Sequence, residues 1–184
     1  MKLESKRKKE STLVKNLYET VMGDAAGAPY LPQFILRDAL LPELLGDDQG
    51  AIGYWAGKSL ARKFPVGNPN DAAVFFAQAG FGTLTLEKQT AQMTRWQLAG
   101  EPVRLRLKMG AEADFTLEAG FLAEMMSQQL GVVTEAELTE TPRKLRNQAV
   151  FFDVYTDPDD LIPDFDAPTP LDLVTPPATE DPQA

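Results

Sequence analysis

The chain has 184 residues and a formal net charge of −9 at pH 7, and it contains neither Cys nor His. That length makes one domain, and the two absent residue types exclude disulfide frameworks, CxxC redox pairs, thiolate or imidazole metal sites, His-based triads and His proton shuttles. No stretch approaches the roughly 20 apolar residues that cross a bilayer, so neither membrane insertion nor a secretory route is expected, and a reduced, cytoplasmic setting fits the composition.

Charge is unevenly distributed. Residues 1–10 form a basic arm of +3, from Lys2, Lys6, Arg7, Lys8 and Lys9 against Glu4 and Glu10. No apolar signal core follows it, and it reads as a frayed terminus. From Asp157 onward, seven prolines and eight acids meet no Lys or Arg. Such a segment buries too little apolar surface to offset its ordering entropy, so 157–184 is expected to be a disordered acidic tail. Its apolar residues Leu161, Ile162, Phe165, Leu171, Leu173 and Val174 form either a short partner motif or neutral spacer. The remaining 11–156 is a single domain, mildly acidic and without a broad basic stripe, which argues against nucleic-acid binding.

Within that domain, Leu13, Val14, Leu17, Val21 and Met22 recur at helical spacing after Ser11 or Thr12. Gly23 to Pro32 reads as a loop, and a second helix from Pro32 runs to Gly46 with a break or kink at Pro42. A third helix spans roughly Asp48 to Phe64. Ile52, Trp55 or Ala56, Leu60 and Phe64 give it an apolar stripe, while Gly53, Gly57 and Ala61 give a small-residue stripe. Each Gly costs about 1 kcal/mol against Ala inside a helix, so close packing against another element is expected there. A fourth helix has Asn68 as N-cap, Pro69 in its first turn and Gly80 as its stop.

The pattern then changes to period two. Leu84 and Leu86, then Thr94, Trp96 and Leu98, predict a hairpin turning near Lys88 to Ala91. Val103, Leu105 and Leu107 alternate with Arg104 and Arg106, so the segment taken alone is a strand, with a short helix opened by Pro102 as the alternative. Phe115 to Leu130 is helical and stops at Gly131, and Ala149 to Tyr155 is the last core strand. Helices before and between antiparallel strands make the fold α+β.

Three stretches carry a family resemblance: Tyr54-Trp55-Ala56-Gly57-Lys58 through Leu60–Pro65, Ala79-Gly80-Phe81-Gly82-Thr83-Leu84, and Phe115 through Glu124. With Leu40 to Gly46, they resemble the YslB-like family of uncharacterised Gram-positive bacterial proteins over roughly Leu31 to Tyr155. That family is distantly similar to a superfamily of 4-vinyl reductase domains, TRAPP vesicle-tethering subunits and haem-dependent nitric-oxide-binding domains. The resemblance implies a helical layer on a small antiparallel sheet, a pocket for a small apolar or acyl ligand, and a helix-mediated homodimer. The axial His of the haem sensors and the acylated Cys of the TRAPP subunits have no counterpart here, so any ligand would be held non-covalently and without haem or zinc.

Candidate binding residues follow from spacing. Tyr54, Lys58 and Arg62 fall on one helical face beside Trp55. Two cations and a phenol there suit a carboxylate or phosphate, but an amphipathic helix makes the same pattern with no ligand. Phe115, Phe121, Met125 and Met126 line a ligand cavity or a dimer seam, or, as apolar stripes mostly do, fill the core. Glu118, set among apolar residues, calls for a buried ion-pair partner more than for a general-base role. Glu124 lies about 120° around the helix from it, so the two do not address one substrate. Gly80-Phe81-Gly82 runs from helix to strand, the reverse of a phosphate loop. The expected function is therefore a non-catalytic binding domain without a cofactor or metal, holding a small ligand or docking a protein. The alternatives are a ligand-free dimeric scaffold and an enzyme of another kind.

Overall fold

The structure is a computed structural model that describes residues 16–110, 113–141, 145, 146 and 148–174. Leu13, Val14 and the basic arm lie outside those residues. Helix α1 covers 16–22 and buries Leu17 and Val21. The expected loop is shorter than Gly23 to Pro32, because a 3-10 turn over Ala28–Tyr30 leads directly into α2 (Leu31–Phe34).

A π-helical stretch over Ile35–Leu40 then joins α2 to α3 (Leu41–Leu45), which carries Pro42 in its first turn. Pro42 has no N–H and its ring crowds the carbonyl four residues back, so the helix widens just ahead of it. The backbone turns at Gly46, with φ +58°. Helix α4 (Gln49–Lys63) follows and stops before Pro65. Helix α5 (Pro69–Gln78) is capped by the Asn68 side chain, which accepts from the Asn70 and Asp71 amides at 3.0 Å each.

Strands β1 (Thr83–Gln89) and β2 (Met93–Ala99) form the expected hairpin. The ambiguous segment after it is helix α6 (Glu101–Lys108), not a strand. Its alternation is broken by Arg106, which is buried beside Val103 and Leu105. Helix α7 (Thr116–Leu130) ends at Gly131 with φ +71°. Strand β3 (Val132–Thr139) was not anticipated, although its β-branched start and alternating Ala136/Leu138 and Glu135/Glu137 are strand-like. Strand β4 (Ala149–Leu161) completes an antiparallel sheet of order β1-β2-β4-β3. The α+β class read from the sequence is the architecture observed.

One sheet face carries the cross-strand pairs Trp96–Phe152, Leu98–Val150 and Thr94–Val154 against the helices. The core there joins these residues to Phe76, Phe121, Leu122 and Met125. A smaller core packs α1 against α6 through Leu17, Val21, Phe34 and Leu105. Helix α7 lies between α4 and the sheet and buries most of its circumference.

At the α4–α7 crossing, a Cβ on Gly57 would run into the Leu117 carbonyl and stand 2.8 Å from the Phe121 amide nitrogen. Gly120 answers from α7, where a Cβ would reach within 2.8 Å of the Tyr54 carbonyl carbon. This close approach, expected of the small-residue stripe, turns the other side of α4 outward, so Ile52, Trp55 and Phe64 of its apolar stripe are exposed.

The chain does not leave the fold at Thr156. Strand β4 runs on to Leu161 and pairs it with Val132, with Pro158 inside a register shift that spares it a ladder bond. Residues 162–174 then cross the domain surface. Ile162 donates its amide to the Gly131 carbonyl at 3.0 Å, and Leu171 to the Pro65 carbonyl at 2.7 Å. Residues 175–184 lie outside the described residues.

Candidate functional site

Helix α4 brings Tyr54 and Lys58, one turn apart, against β3. Lys58 is 6% exposed and donates to Glu135 Oε1 at 3.0 Å and to the Thr134 carbonyl at 3.4 Å. Its ammonium stands over the Tyr54 and Trp55 rings, at 5.6 and 5.5 Å from their centroids. The Tyr54 hydroxyl donates to Glu135 Oε2 and accepts from the Ala136 amide at 3.0 Å. Burial, then the bond to Glu135, pushes the phenol above its ordinary range and keeps it protonated. Trp55 is 63% exposed. Arg62 pairs with Glu124 at 2.9 Å in a partly solvated contact. The two cations of the expected anion site thus already have carboxylates.

The second cluster centres on Glu118, which is fully buried. It accepts from Arg37 through one oxygen, and from Arg106 Nη1 at 3.5 Å through the other. Arg106 also holds Asp38, through Nε at 3.0 Å and Nη2 at 2.9 Å, and stacks over Phe115 at 4.2 Å. Both arginines donate to the Asp114 carbonyl. Burial opposes the Arg37 charge, but the Glu118 carboxylate overrides it and holds the guanidinium above its usual pKa. Two cations and two anions balance inside the fold and tie the π stretch, α6 and the start of α7 together. A carboxylate so engaged is not a free base.

Phe121 stacks on Phe75 at 5.1 Å and meets Phe76 edge-on at 5.4 Å, and it shares its core with the fully buried Met125. The structure therefore groups Tyr54, Trp55 and Lys58 in one place, Glu118 and Phe115 in another, and Phe121 and Met125 in the core. It also supplies partners that sequence reasoning missed: Arg37, Asp38, Arg106 and Glu135. Charged residues inside apolar helical runs, such as Arg37-Asp38 between Leu36 and Ala39, were the available signal. Among the described residues no group of three or more acidic side chains has the geometry to hold a metal ion.

A different surface stands open. Ile35, Leu36, Leu40, Leu41 and Leu44 are exposed along the π stretch and α3, with Leu44 at 68%, while Phe34 and Asp38 face inward. Glu43 is the one exposed charged residue between Ile35 and Leu44.

A family model described as "Protein of unknown function (DUF2507)" matches residues 30–155. The chain belongs to this family. The YslB-like motifs quoted above lie within that span. The uncharacterised protein YslB of Bacillus subtilis (strain 168) is 40% identical over 102 residues, which is 55% of this chain and 69% of that relative. The matched span of this chain contains the Glu118 network, the α4–α7 crossing and the open face. Among solved structures, a trafficking protein particle complex subunit 3 from Naegleria fowleri, covalently bound to palmitic acid, is similar over 71% of this chain and 90% of its own. Its TM-score is 0.39 and its identity 13%. A likeness of that size carries no argument about ligand or partner. No described helix is long and apolar enough to cross a membrane.

Proposed function

We propose that this domain is a non-catalytic, cytoplasmic docking module that pairs with a second copy of itself through the open face of the π stretch and α3. The observation that supports it is the run of five exposed aliphatic side chains, Ile35, Leu36, Leu40, Leu41 and Leu44, on a face whose inward side is anchored by ion pairs. A contiguous exposed aliphatic surface of this kind is a binding surface in ordinary soluble proteins. A stripe with so few charges is self-complementary under a two-fold axis, since it demands no matching charge pattern from its partner. Burying five half-exposed side chains on each copy contributes ~10 kcal/mol gross. Association costs of at least about 4 kcal/mol leave a dimer no tighter than roughly tens of micromolar. The test is sedimentation of wild type against Leu40→Lys/Leu44→Lys. Loss of the dimer with an unchanged melt supports the reading, and a wild type that is monomeric throughout the range up to roughly one hundred micromolar removes it.

A second reading keeps a ligand. The Trp96 indole N–H is in the core, 1% exposed, and has no acceptor among the described residues. A small apolar guest that brings one carbonyl or carboxyl oxygen to that N–H would satisfy it. A stoichiometric mass excess in native spectra, lost on denaturation, supports a guest, and a clean protein mass rejects it.

A further inference from the structure

Residues 162–174 contain no regular element beyond a short turn, yet they follow a defined path. Their backbone makes the contacts: the Ile162 amide to the Gly131 carbonyl at 3.0 Å, the Leu171 amide to the Pro65 carbonyl at 2.7 Å, and the Val174 carbonyl accepting from Gln78 Nε2 at 3.0 Å. Two glycines form seats without side chains. Phe165 lies over Gly131, where a Cβ would stand 2.9 Å from its ring, and Pro170 over Gly67, where a Cβ would stand 3.0 Å from the proline. Beneath, Gln129 Nε2 holds the Val66 carbonyl at 2.8 Å and fixes the loop that carries the Gly67 seat.

The strap itself is lightly committed. Phe165 and Leu171 are each 39% exposed and Asp164, Asp166 and Asp172 face solvent. Of the two cations in the last turn of α4, Arg62 pairs with Glu124, and Lys63 stands exposed two residues before Pro65, whose carbonyl holds the strap at Leu171. Main-chain anchors and shallow seats spaced along an extended chain are how folded domains take peptides.

We propose that the surface from Gly131 across Pro65–Gly67 to Gln78 is a docking site for an extended, proline-spaced acidic segment of a partner protein, with the chain's own residues 162–174 seated there in cis as the competitor. A tethered segment acts at an effective concentration of about millimolar, so wild type masks the site and a partner must displace the strap. Half-exposed segments with few buried contacts open well below the global unfolding free energy.

The test uses the full chain carrying Phe165→Ser and Leu171→Ser, and a fluorescent peptide of the wild-type 162–174 sequence read by anisotropy. The opened chain should bind saturably and at least tenfold more tightly than wild type, and adding Gly67→Val should abolish binding. No binding by an opened chain that melts like wild type overturns the proposal, as does equal binding by both chains. If the opened chain melts early, hydrogen exchange of the wild-type Ile162 and Leu171 amides decides. Exchange much faster than that of the β4 core supports a displaceable strap, and equal protection overturns it.

Discussion

Gly57→Ala is the sharpest probe of how this fold is held. In an exposed helix the change stabilises by about 1 kcal/mol through backbone entropy. In α4 the new methyl would collide with the Leu117 carbonyl and the Phe121 amide, both backbone atoms of α7 that no rotamer change can move. Overpacking of this kind costs about 1–3 kcal/mol and more where backbone must shift. The helix gain offsets part of that, so the net loss should be ~2 kcal/mol. For a chain of this size that lowers Tm by roughly 4–8 °C. Gly50→Ala is the control in the same helix, because its Cβ would meet only Asp114 Oδ2 at 3.8 Å and Thr116 Cγ2 at 3.9 Å, ordinary contacts. Paired urea and thermal melts should show loss at Gly57 and none at Gly50. A Gly57→Ala chain as stable as wild type would refute the claim that α4 and α7 meet backbone to backbone.

Four other outcomes follow from the same geometry. Glu118→Gln should cost about 3–5 kcal/mol in chemical denaturation, because it leaves the buried Arg37 and Arg106 undercompensated. Arg62→Ala should cost no more than about 1 kcal/mol, its pair with Glu124 being solvated. Tyr54→Phe removes the acceptor of the Ala136 amide and should cost about 1 kcal/mol. Because the Tyr54 phenol is held above its ordinary 10.0, its share of stability is full below pH 10 and is lost as pH rises beyond it, a limb that Tyr54→Phe should lack. Asp24 runs the other way. Hydrogen bonds from Arg104 and Lys108 hold its carboxyl below the ordinary 3.8, so its contribution is present above that pH and lost below it, and Asp24→Asn should flatten that acid limb of a melt series.

Much of the fold was legible from local chemistry. The Asn68 cap, the Gly80 and Gly131 stops, and the hairpin over β1 and β2 each declare themselves within a few residues, because the forces that set them are local. Residues whose role depends on distant partners were harder to place. Arg106 looked like the polar half of a strand because nothing near it in sequence reveals Asp38 and Glu118. Strand β3 was missed between a helix stop and a polar stretch, and with it went Glu135, the partner of Tyr54 and Lys58. Helix α4 carries two stripes by spacing, and the small-residue one is the face that meets α7, as the cost of its glycines predicts. A period of 3.6 says which residues share a face but not which face is buried. Side-chain content beyond Thr156 predicts no strand, whereas β4 runs on to Leu161 and the backbone of residues 162–174 makes its contacts. On the candidate site, spacing placed Tyr54, Trp55 and Lys58 together, and only the tertiary structure shows the carboxylates that occupy them.

The measurement that bears most directly on the proposed role is sedimentation equilibrium of the full chain from one to one hundred micromolar, beside Leu40→Lys/Leu44→Lys. These leucines are exposed, so the substitutions should leave the melt within about 0.5 kcal/mol of wild type. A wild type that moves from monomer to dimer across this range, and a variant that stays monomeric, is the expected result. A wild type that is monomeric throughout, or a variant that dimerises equally well, would contradict pairing through this face.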